Sequence, residues 1–242
     1  MTLGNLLCGC LGIVFVFEGN LLWASYLIFI AGILDFLDGF VARLLKQHSD
    51  IGKQLDSLAD MVTFGILPSF IIYSLLNTNF FIAENEIFGR LWTNLSKNSV
   101  ENKNNWSYIA FILALFSCLR LAKFNIDTRQ SDSFIGVPTP ANAFVVSAFP
   151  LILEFNEEYT SFILNPTFLI SYTLIMSYLL ISEIPLFALK FKNFAWNSNQ
   201  IKYIFLILSV ILLVTLKFLA IPLIIFLYII LSVINNFLPK NS

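Results

Sequence analysis

Apolar residues occur along this chain in eight runs, each close to the roughly 20 residues that a helix needs to cross a bilayer. The runs cover residues 3–17, 21–45, 55–77, 106–122, 140–154, 162–189, 201–218 and 220–238. The first and fifth are short for a full span. Ala220, Ile221 and Pro222 predict a tight turn between the last two. The pattern predicts an all-α integral membrane protein with about eight transmembrane helices.

Composition supports this class. Of the 242 residues, 58% are hydrophobic and 12% are charged, and the mean hydropathy is +0.82, whereas a soluble domain is about half apolar and a quarter charged. The net charge of −1 gives no indication of a nucleic-acid partner. Cys8, Cys10 and Cys118 lie inside apolar runs and are interpreted as packing residues. The N-terminus lacks a basic region, so no cleavable signal is predicted.

Four carboxylates lie near the facing ends of the second and third apolar runs. Asp35 and Asp38 follow the uncharged residues 21–34, and Asp56 and Asp60 precede the uncharged residues 61–76. An ionised side chain at membrane depth costs several kcal/mol, so it persists where it pairs, binds an ion or lines a wet cavity.

The spacing places these acids on two helix faces. A sector of roughly 140° on one helix holds Asp35, Asp38, Gly39, Ala42 and Arg43. A stripe with a four-residue period on the next helix holds Gly52, Asp56 and Asp60, and continues to Thr63. Helices joined by a short loop pack side by side, so the two pairs of carboxylates are expected to face each other. Converging hard oxygen ligands suit Mg²⁺ or Mn²⁺; the alternative is that the acids pair with Arg43, Lys46 and Lys53 as ordinary interface charges.

The segment from Asp35 to Asp60 resembles the signature of the CDP-alcohol phosphotransferase family. It reads Asp-x2-Asp-Gly-x2-Ala-Arg-x8-Gly-x3-Asp-x3-Asp and matches at every fixed position. The resemblance implies a six-helix catalytic core over residues 1–190, with a C-terminal helical hairpin over 191–242 packed on it. It also implies that a phosphatidyl-type group moves from a CDP-linked lipid to an alcohol, with release of CMP. The implied ligands of two divalent ions are Asp35, Asp38, Asp56 and Asp60, of which Asp60 is also the general base.

Residues around the acids are expected to bind the CDP-lipid. The implied set is Asn5, Asp38, Gly39, Ala42, Arg43, Ser49 and Gly52. Gly39 and Ala42 leave room on the helix face, and Arg43 suits bidentate phosphate binding better than a lysine. The resemblance places Asn5 on the cytidine side, with a helix cap as the alternative, and Ser49 is also placed to cap the third helix. His48 is interpreted as a solvated loop residue, with a phosphate contact as the alternative.

A second polar stretch follows the fourth apolar run. Residues 119–125 read Leu-Arg-Leu-Ala-Lys-Phe-Asn, and a loop containing Gly136, Pro138 and Pro140 then returns to the membrane. Together with the Asn-x2-Cys-Gly run near the N-terminus and residues 55–65, this stretch resembles the phosphatidylserine synthase branch of the family. The resemblance implies that L-serine is bound by Arg120, Lys123 and Asn125, with Arg120 on the carboxylate. Anchoring to lipid phosphates is the alternative for Arg120 and Lys123.

The basic residues predict the orientation in the membrane. With a cytoplasmic N-terminus, ten of the fourteen lie on the cytoplasmic side, and the others are Arg90, Lys97, Lys103 and Lys217. The acids then face the cytoplasm in a multi-pass protein of the cell membrane. The polar loop 77–105 lies on the far side, and the last two helices offer a lipid-facing or dimer surface, so a homodimer is expected.

The resemblance implies that CDP-diacylglycerol and L-serine are the substrates and that CMP and phosphatidylserine are the products. One alternative keeps the chemistry but takes glycerol 3-phosphate or inositol phosphate as acceptor; glycerol phosphate calls for extra basic residues near Arg120. The other alternative is a divalent-cation transporter, which would place its acids near mid-membrane between broken helices.

Overall fold

Helices make up nearly all of the regular structure in this computed structural model, which describes residues 1–45, 50–78, 105–127, 133–187 and 196–237. The α-helices are α1 (Thr2–Phe17), α2 (Leu21–Leu44), α3 (Asp50–Asp60), α4 (Leu67–Thr78), α5 (Ile112–Ile126), α6 (Thr139–Phe155), α7 (Thr160–Ile163), α8 (Pro166–Ile181), α9 (Trp196–Leu216) and α10 (Ala220–Phe237). A π-helical segment, Met61–Ile66, joins α3 to α4. Short 3₁₀ turns occupy Asn105–Phe111, Glu157–Tyr159 and Lys217–Leu219. Each predicted apolar run contains helix, so the helical fold class is confirmed.

Membrane-spanning length is reached by only some of these helices. Four stretches within the described ranges are long and apolar enough: Leu21–Ala42, Ile51–Asn77, Trp106–Ile126 and Asn199–Asn236. A fifth arises only if Glu157–Ile163 and Pro166–Ile181 are counted together across a bend of 68°. α1 and α6 are apolar but have only 16 and 17 residues. The chain therefore has the helices of a multi-pass membrane protein, with four or five candidate spans, fewer than the eight predicted.

The last of these stretches is folded back on itself as a hairpin. The rings of Phe205 in α9 and Tyr228 in α10 have centroids 5.7 Å apart, whereas a continuous helix would separate these residues by about 35 Å. The chain reverses at Lys217–Leu219, where Lys217 has a φ of 50°. The turn predicted at residues 220–222 is therefore wrong by three residues. Pro222 instead lies in the first turn of α10, where its missing amide hydrogen costs no helical bond.

A two-stranded antiparallel ladder, which the all-helical prediction does not include, joins two distant loops. β1 (Ser133–Ile135) pairs with β2 (Pro185–Phe187), and Phe134 lies opposite Leu186. Each strand has three residues, too few for a period of two to be recognised in the sequence.

The segment between β1 and α6 is bonded to the end of α8 and the residues that follow it. Gly136 has a φ of 71°, and a Cβ at this position would lie 2.6 Å from the backbone oxygen of Leu180, so only glycine fits. The amide of Gly136 donates to the carbonyl oxygen of Ile184, and that of Val137 to the carbonyl oxygen of Leu179, both at 3.0 Å. These bonds fix the point at which α6 begins.

The close approach of α1 to the π-helical segment builds one side of the site. A Cβ on Gly9 would lie 2.4 Å from Oγ1 and 3.0 Å from Cα of Thr63. A small residue on α1 thus allows a close helix contact here. This contact carries Asn5, one turn earlier on α1, to Asp60 at the end of α3.

Candidate active site

Three carboxylates, one from α2 and two from α3, converge at one point. Asp35, Asp56 and Asp60 each offer an oxygen within 4.8 Å of the others. Asp56 and Asp60 are one helical turn apart and so lie on the same face. Asp60 is only 9% exposed, whereas Asp35 and Asp56 are partly exposed. Unit charges at this distance repel by about 3 kcal/mol per pair at an effective dielectric constant of about 20, so the arrangement favours a bound cation.

The donor set of this cluster fits a divalent ion. Mg²⁺ and Mn²⁺ prefer carboxylate oxygens. Oδ1 of Asp56 is buried and has no hydrogen-bond partner within the described part of the chain. An orphaned buried acceptor costs about 1–3 kcal/mol, and a coordinated cation removes that cost. The structure thus brings together three of the four predicted ligands in an arrangement suited to such an ion.

Asp38, the fourth predicted ligand, lies outside this group of three. Its carboxylate accepts a hydrogen bond from the hydroxyl of Thr2 on α1. Asp38 is nevertheless one turn from Asp35 on α2, so it stays beside the cluster. Sequence reasoning missed Thr2, because its role follows from the docking of α1 and not from any local spacing.

Asn5 holds the carboxylate of Asp60. Its Nδ2 donates to Oδ1 of Asp60 at 3.0 Å, and its backbone carbonyl accepts from Oγ1 of Thr63 at 3.0 Å. Asn5 lies inside α1 and is fully buried, so the alternative that it caps a helix is wrong. The structure assigns Asn5 a contact that the sequence did not predict, and its proposed contact with the cytidine remains a prediction.

The residues predicted to bind the nucleotide flank the carboxylates where the structure describes them. A Cβ added to Gly39 would meet no atom of the described residues within 4 Å, so the expected room on the face of α2 is present. Ala42 is partly exposed and Gly52 is exposed. Ser49 and the side chain of Arg43 lie outside the described residues.

Lys53 does not pair with the acids among the residues that the structure describes, although the alternative to a metal site had proposed this pairing. Its Nζ donates to the backbone oxygen of Asn125 at 2.7 Å and so joins α3 to α5. Lys46, the other lysine in that alternative, lies outside the described residues, as does His48.

Arg120 of α5 is buried beside the carboxylate cluster. Its guanidinium is within electrostatic range of Asp60 and only 7% exposed. Nη1 donates to Oγ1 of Thr139 at 3.4 Å, while Nε has no partner in the described ranges. Cζ lies 5.6 Å from the centre of the Phe124 ring, a cation–π contact. A buried guanidinium with a donor to spare suits a carboxylate or a phosphate.

The other two residues predicted to bind serine are placed differently. Asn125 donates from Nδ2 to Oγ of Ser57 at 2.8 Å, so its side chain ties the end of α5 to α3. Lys123 is exposed, which is compatible both with a place at the rim of the site and with phosphate anchoring. Ser57 was not singled out in the sequence; its only signal was its position next to Asp56.

Comparison with known proteins places these residues in a family. A sequence model of CDP-alcohol phosphatidyltransferases matches residues 1–235, and therefore includes α9 and most of α10. A protein of Helicobacter pylori is 31% identical over 218 residues, which cover 87% of this chain and 78% of the relative. A protein of Bacillus subtilis is 37% identical over 141 residues, which cover 58% of this chain and 67% of the relative. A third relative, from Mycobacterium leprae, is 33% identical over 195 residues, 77% of this chain and 56% of that protein. All three relatives are named CDP-diacylglycerol–serine O-phosphatidyltransferase.

Proposed function

Because the chain belongs to the CDP-alcohol phosphatidyltransferase family, we propose that it transfers the phosphatidyl group of CDP-diacylglycerol to L-serine. The products are phosphatidylserine and CMP. The observation that carries this proposal is the convergence of Asp35, Asp56 and Asp60 beside Arg120. The names of the relatives support serine over glycerol 3-phosphate or inositol phosphate, and an enzyme over a divalent-cation transporter.

The carboxylate cluster is the ion-binding part of the proposed site. Asp35, Asp56 and Asp60, with Asp38 beside them, would hold two ions, Mg²⁺ or Mn²⁺. When bound, such ions neutralise the pyrophosphate of the CDP-lipid and the charge that develops on the departing CMP. Arg43 is proposed to stabilise the negative charge of the phosphates. The full set of residues proposed to bind the nucleotide is Asn5, Asp38, Gly39, Ala42, Arg43, Ser49 and Gly52.

Asp60 is the proposed general base. The serine hydroxyl oxygen attacks the lipid-side phosphorus in line, the bond from that phosphorus to the CMP oxygen breaks, and the hydroxyl proton passes to Asp60. A carboxylate is a weak base for an alcohol, but the proton becomes acidic as the new P–O bond forms. The bond from Asn5 holds the Asp60 carboxylate in one orientation during this transfer.

Arg120 is the proposed ligand of the serine carboxylate. It is buried, has an unpartnered Nε among the described groups, and lies within electrostatic range of Asp60. Serine bound there by its carboxylate would keep its hydroxyl close to the base. Lys123 and Asn125 are the other two proposed ligands of serine.

The decisive experiment measures CMP release by purified protein in detergent micelles containing CDP-diacylglycerol. Release is expected to require both L-serine and Mg²⁺ or Mn²⁺, with phosphatidylserine formed in equal amount. Glycerol 3-phosphate and inositol phosphate are tested in parallel. Release that is equally fast without serine, or faster with another acceptor, would contradict the proposed function.

The proposed arrangement in the membrane extends the observed helices. We propose a six-helix core over residues 1–190 and a hairpin over 191–242, with eight crossings in all, in a homodimer whose active site faces the cytoplasm. The excess of basic residues on one side supports this orientation. In intact cells, an impermeant maleimide should label Glu157→Cys but not Gln54→Cys; the reverse pattern would invert the assignment.

A further inference from the structure

A polar stripe on the last helix contacts the backbone of β2. Tyr228, Ser232 and Asn236 follow one another at a four-residue spacing on α10, so they share one face. The hydroxyl of Tyr228 donates to the carbonyl oxygen of Phe187 at 2.8 Å, and the amide of Phe187 donates to Oγ of Ser232 at 3.4 Å. Nδ2 of Asn236 donates to the carbonyl oxygen of Pro185 at 2.7 Å.

These three side chains bind the edge of β2 that faces away from β1. Successive residues of a strand direct their backbone groups to opposite edges. The carbonyl of Ile184 accepts from Gly136, on the β1 side, so Pro185 and Phe187 present theirs to the other edge. Without α10, the amide and the carbonyl of the buried residue Phe187 would lose these partners, and a buried backbone group that is left unpaired is destabilising. The stripe therefore hydrogen-bonds the outer edge of β2, in the place that a third strand would take.

The opposite edge of the ladder leads to Arg120. β1 pairs with β2, and the chain continues through Gly136 and Val137, both bonded to the region after α8, into the first residue of α6. That residue is Thr139, whose Oγ1 accepts from Arg120. Tyr228 itself also lies within electrostatic range of Arg120. The last helix is thus linked to the buried guanidinium along two routes.

We propose that α10 is a positioning element for the acceptor side of the site: its stripe fixes β2, and through β1 and the Gly136 turn it fixes Thr139 against Arg120. This inference rests on the proposed function, since it concerns the pocket for serine. The proposal gives α10 a role in the active site in addition to crossing the bilayer. Tyr228, Ser232 and Asn236 are positioning residues, because they act through the ladder and not on the substrate.

The test compares Tyr228→Phe and Asn236→Leu with the wild-type enzyme. Loss of one neutral hydrogen bond in this chain of contacts should raise the KM for L-serine about fivefold to tenfold. The KM for CDP-diacylglycerol and the requirement for Mn²⁺ should change by less than about twofold, because the carboxylate cluster lies on α2 and α3. Asn236→Gln keeps an amide at this exposed position and should recover most of the affinity for serine. Tyr178→Phe, which removes a hydroxyl from an exposed tyrosine of α8, is the matched control and should behave as wild type.

A second measurement follows the segment itself. The amides of Gly136 and Val137 should exchange with deuterium faster in Tyr228→Phe than in the wild type, in the absence of any substrate. Asn236→Leu, at an exposed position near the end of α10, should show the same change even if Tyr228→Phe does not fold. An unchanged KM for serine in the folded variants would overturn the inference, and so would an equal rise in the KM of both substrates.

Failure of the proposed function gives a different result from failure of this inference. If the wild type shows no serine-dependent CMP release, the function is wrong, and the exchange rates alone then decide whether α10 fixes the Gly136 segment. If the wild type is active but the exchange at Gly136 and Val137 is unaffected, the inference is wrong and the function stands.

Discussion

The amide of Asn5 donates to the carboxylate of Asp60 across 3.0 Å in a space almost closed to solvent. At the scale of single residues, the site consists of Asp60 as the proposed base, Asn5 as the residue that orients it, and Arg120 as a buried cation. A carboxylate kept in one rotamer loses less freedom when substrate arrives, so we expect Asn5 to contribute to the rate even without touching the substrate.

Replacing Asp60 with Asn should abolish turnover while sparing the binding of CDP-diacylglycerol. Asn has nearly the same shape but accepts no proton, and loss of a general base lowers rates about 10²–10⁴-fold. CMP release measures the turnover, and a separate titration measures the binding of the CDP-lipid. Glu158→Gln, an exposed acid after α6, is the control and should keep full activity. An Asp60→Asn enzyme with near wild-type turnover would remove Asp60 from the role of base.

Replacing Asn5 with Ala separates the contact seen in the structure from the predicted contact with cytidine. If Asn5 holds Asp60, kcat should fall about tenfold, as for one lost hydrogen bond to a charged group, while the KM for CDP-diacylglycerol stays constant. If Asn5 binds cytidine, the KM rises instead. Asn20→Ala is the control, because Oδ1 of Asn20 accepts from the amide of Trp23 at the start of α2. It should lower stability by about 1 kcal/mol without changing either constant.

Two glycines show how the elements, α1, α2 and the π-helical segment, set the size of the site. Gly9→Ala places a methyl group 2.4 Å from Oγ1 of Thr63 and should push α1 away, with a loss of about 1–3 kcal/mol. Gly39→Ala meets no described atom within 4 Å and should preserve or slightly raise stability. The thermal unfolding midpoint in detergent distinguishes them. In addition, Gly39→Ala should raise the KM for CDP-diacylglycerol if the nucleotide lies on that face; a normal KM would place it elsewhere.

Helical period explains which parts of the site could be predicted from the sequence. Asp56 and Asp60 are four residues apart, and α3 follows α2 after a short loop, so their convergence with Asp35 follows from local spacing. The bonds from Thr2 to Asp38 and from Asn5 to Asp60 depend on where α1 docks, and no short-range pattern encodes that docking.

The same limit applies to the larger elements. The apolar runs predict helices well, because a helix satisfies its backbone internally and needs only length. β1 and β2 pair residues about 50 positions apart, and each strand is too short to show a period. The reversal at Lys217 also escaped prediction, because the nearby proline marks the start of α10 and not the turn itself.

Binding of a divalent ion should stabilise the fold of the whole molecule as well as support catalysis. The ion would join α2 to α3, and a ligand that binds only the folded state adds about 2.7 kcal/mol at a concentration one hundred times its Kd. Mn²⁺ should therefore raise the unfolding midpoint, and EDTA should lower it and abolish CMP release. Asp56→Asn should lose most of this response, while Glu158→Gln should keep it. A midpoint that is insensitive to Mn²⁺ would contradict the proposed metal site.

The π-helical segment directly after Asp60 has one consequence for how this chain tolerates insertions and deletions. A π turn holds one residue more than an α turn over nearly the same rise. Shortening residues 61–66 by one would let the ladder of i to i−4 bonds run through unbroken, and would leave the parts on either side in nearly the same orientation, because the turn keeps its angle and its rise. Removing one residue from α4, which has no extra residue to lose, would instead turn everything upstream by about 100° relative to the remainder of α4. Asp56 and Asp60 would then point away from Asp35, although every side chain of the signature would still be present.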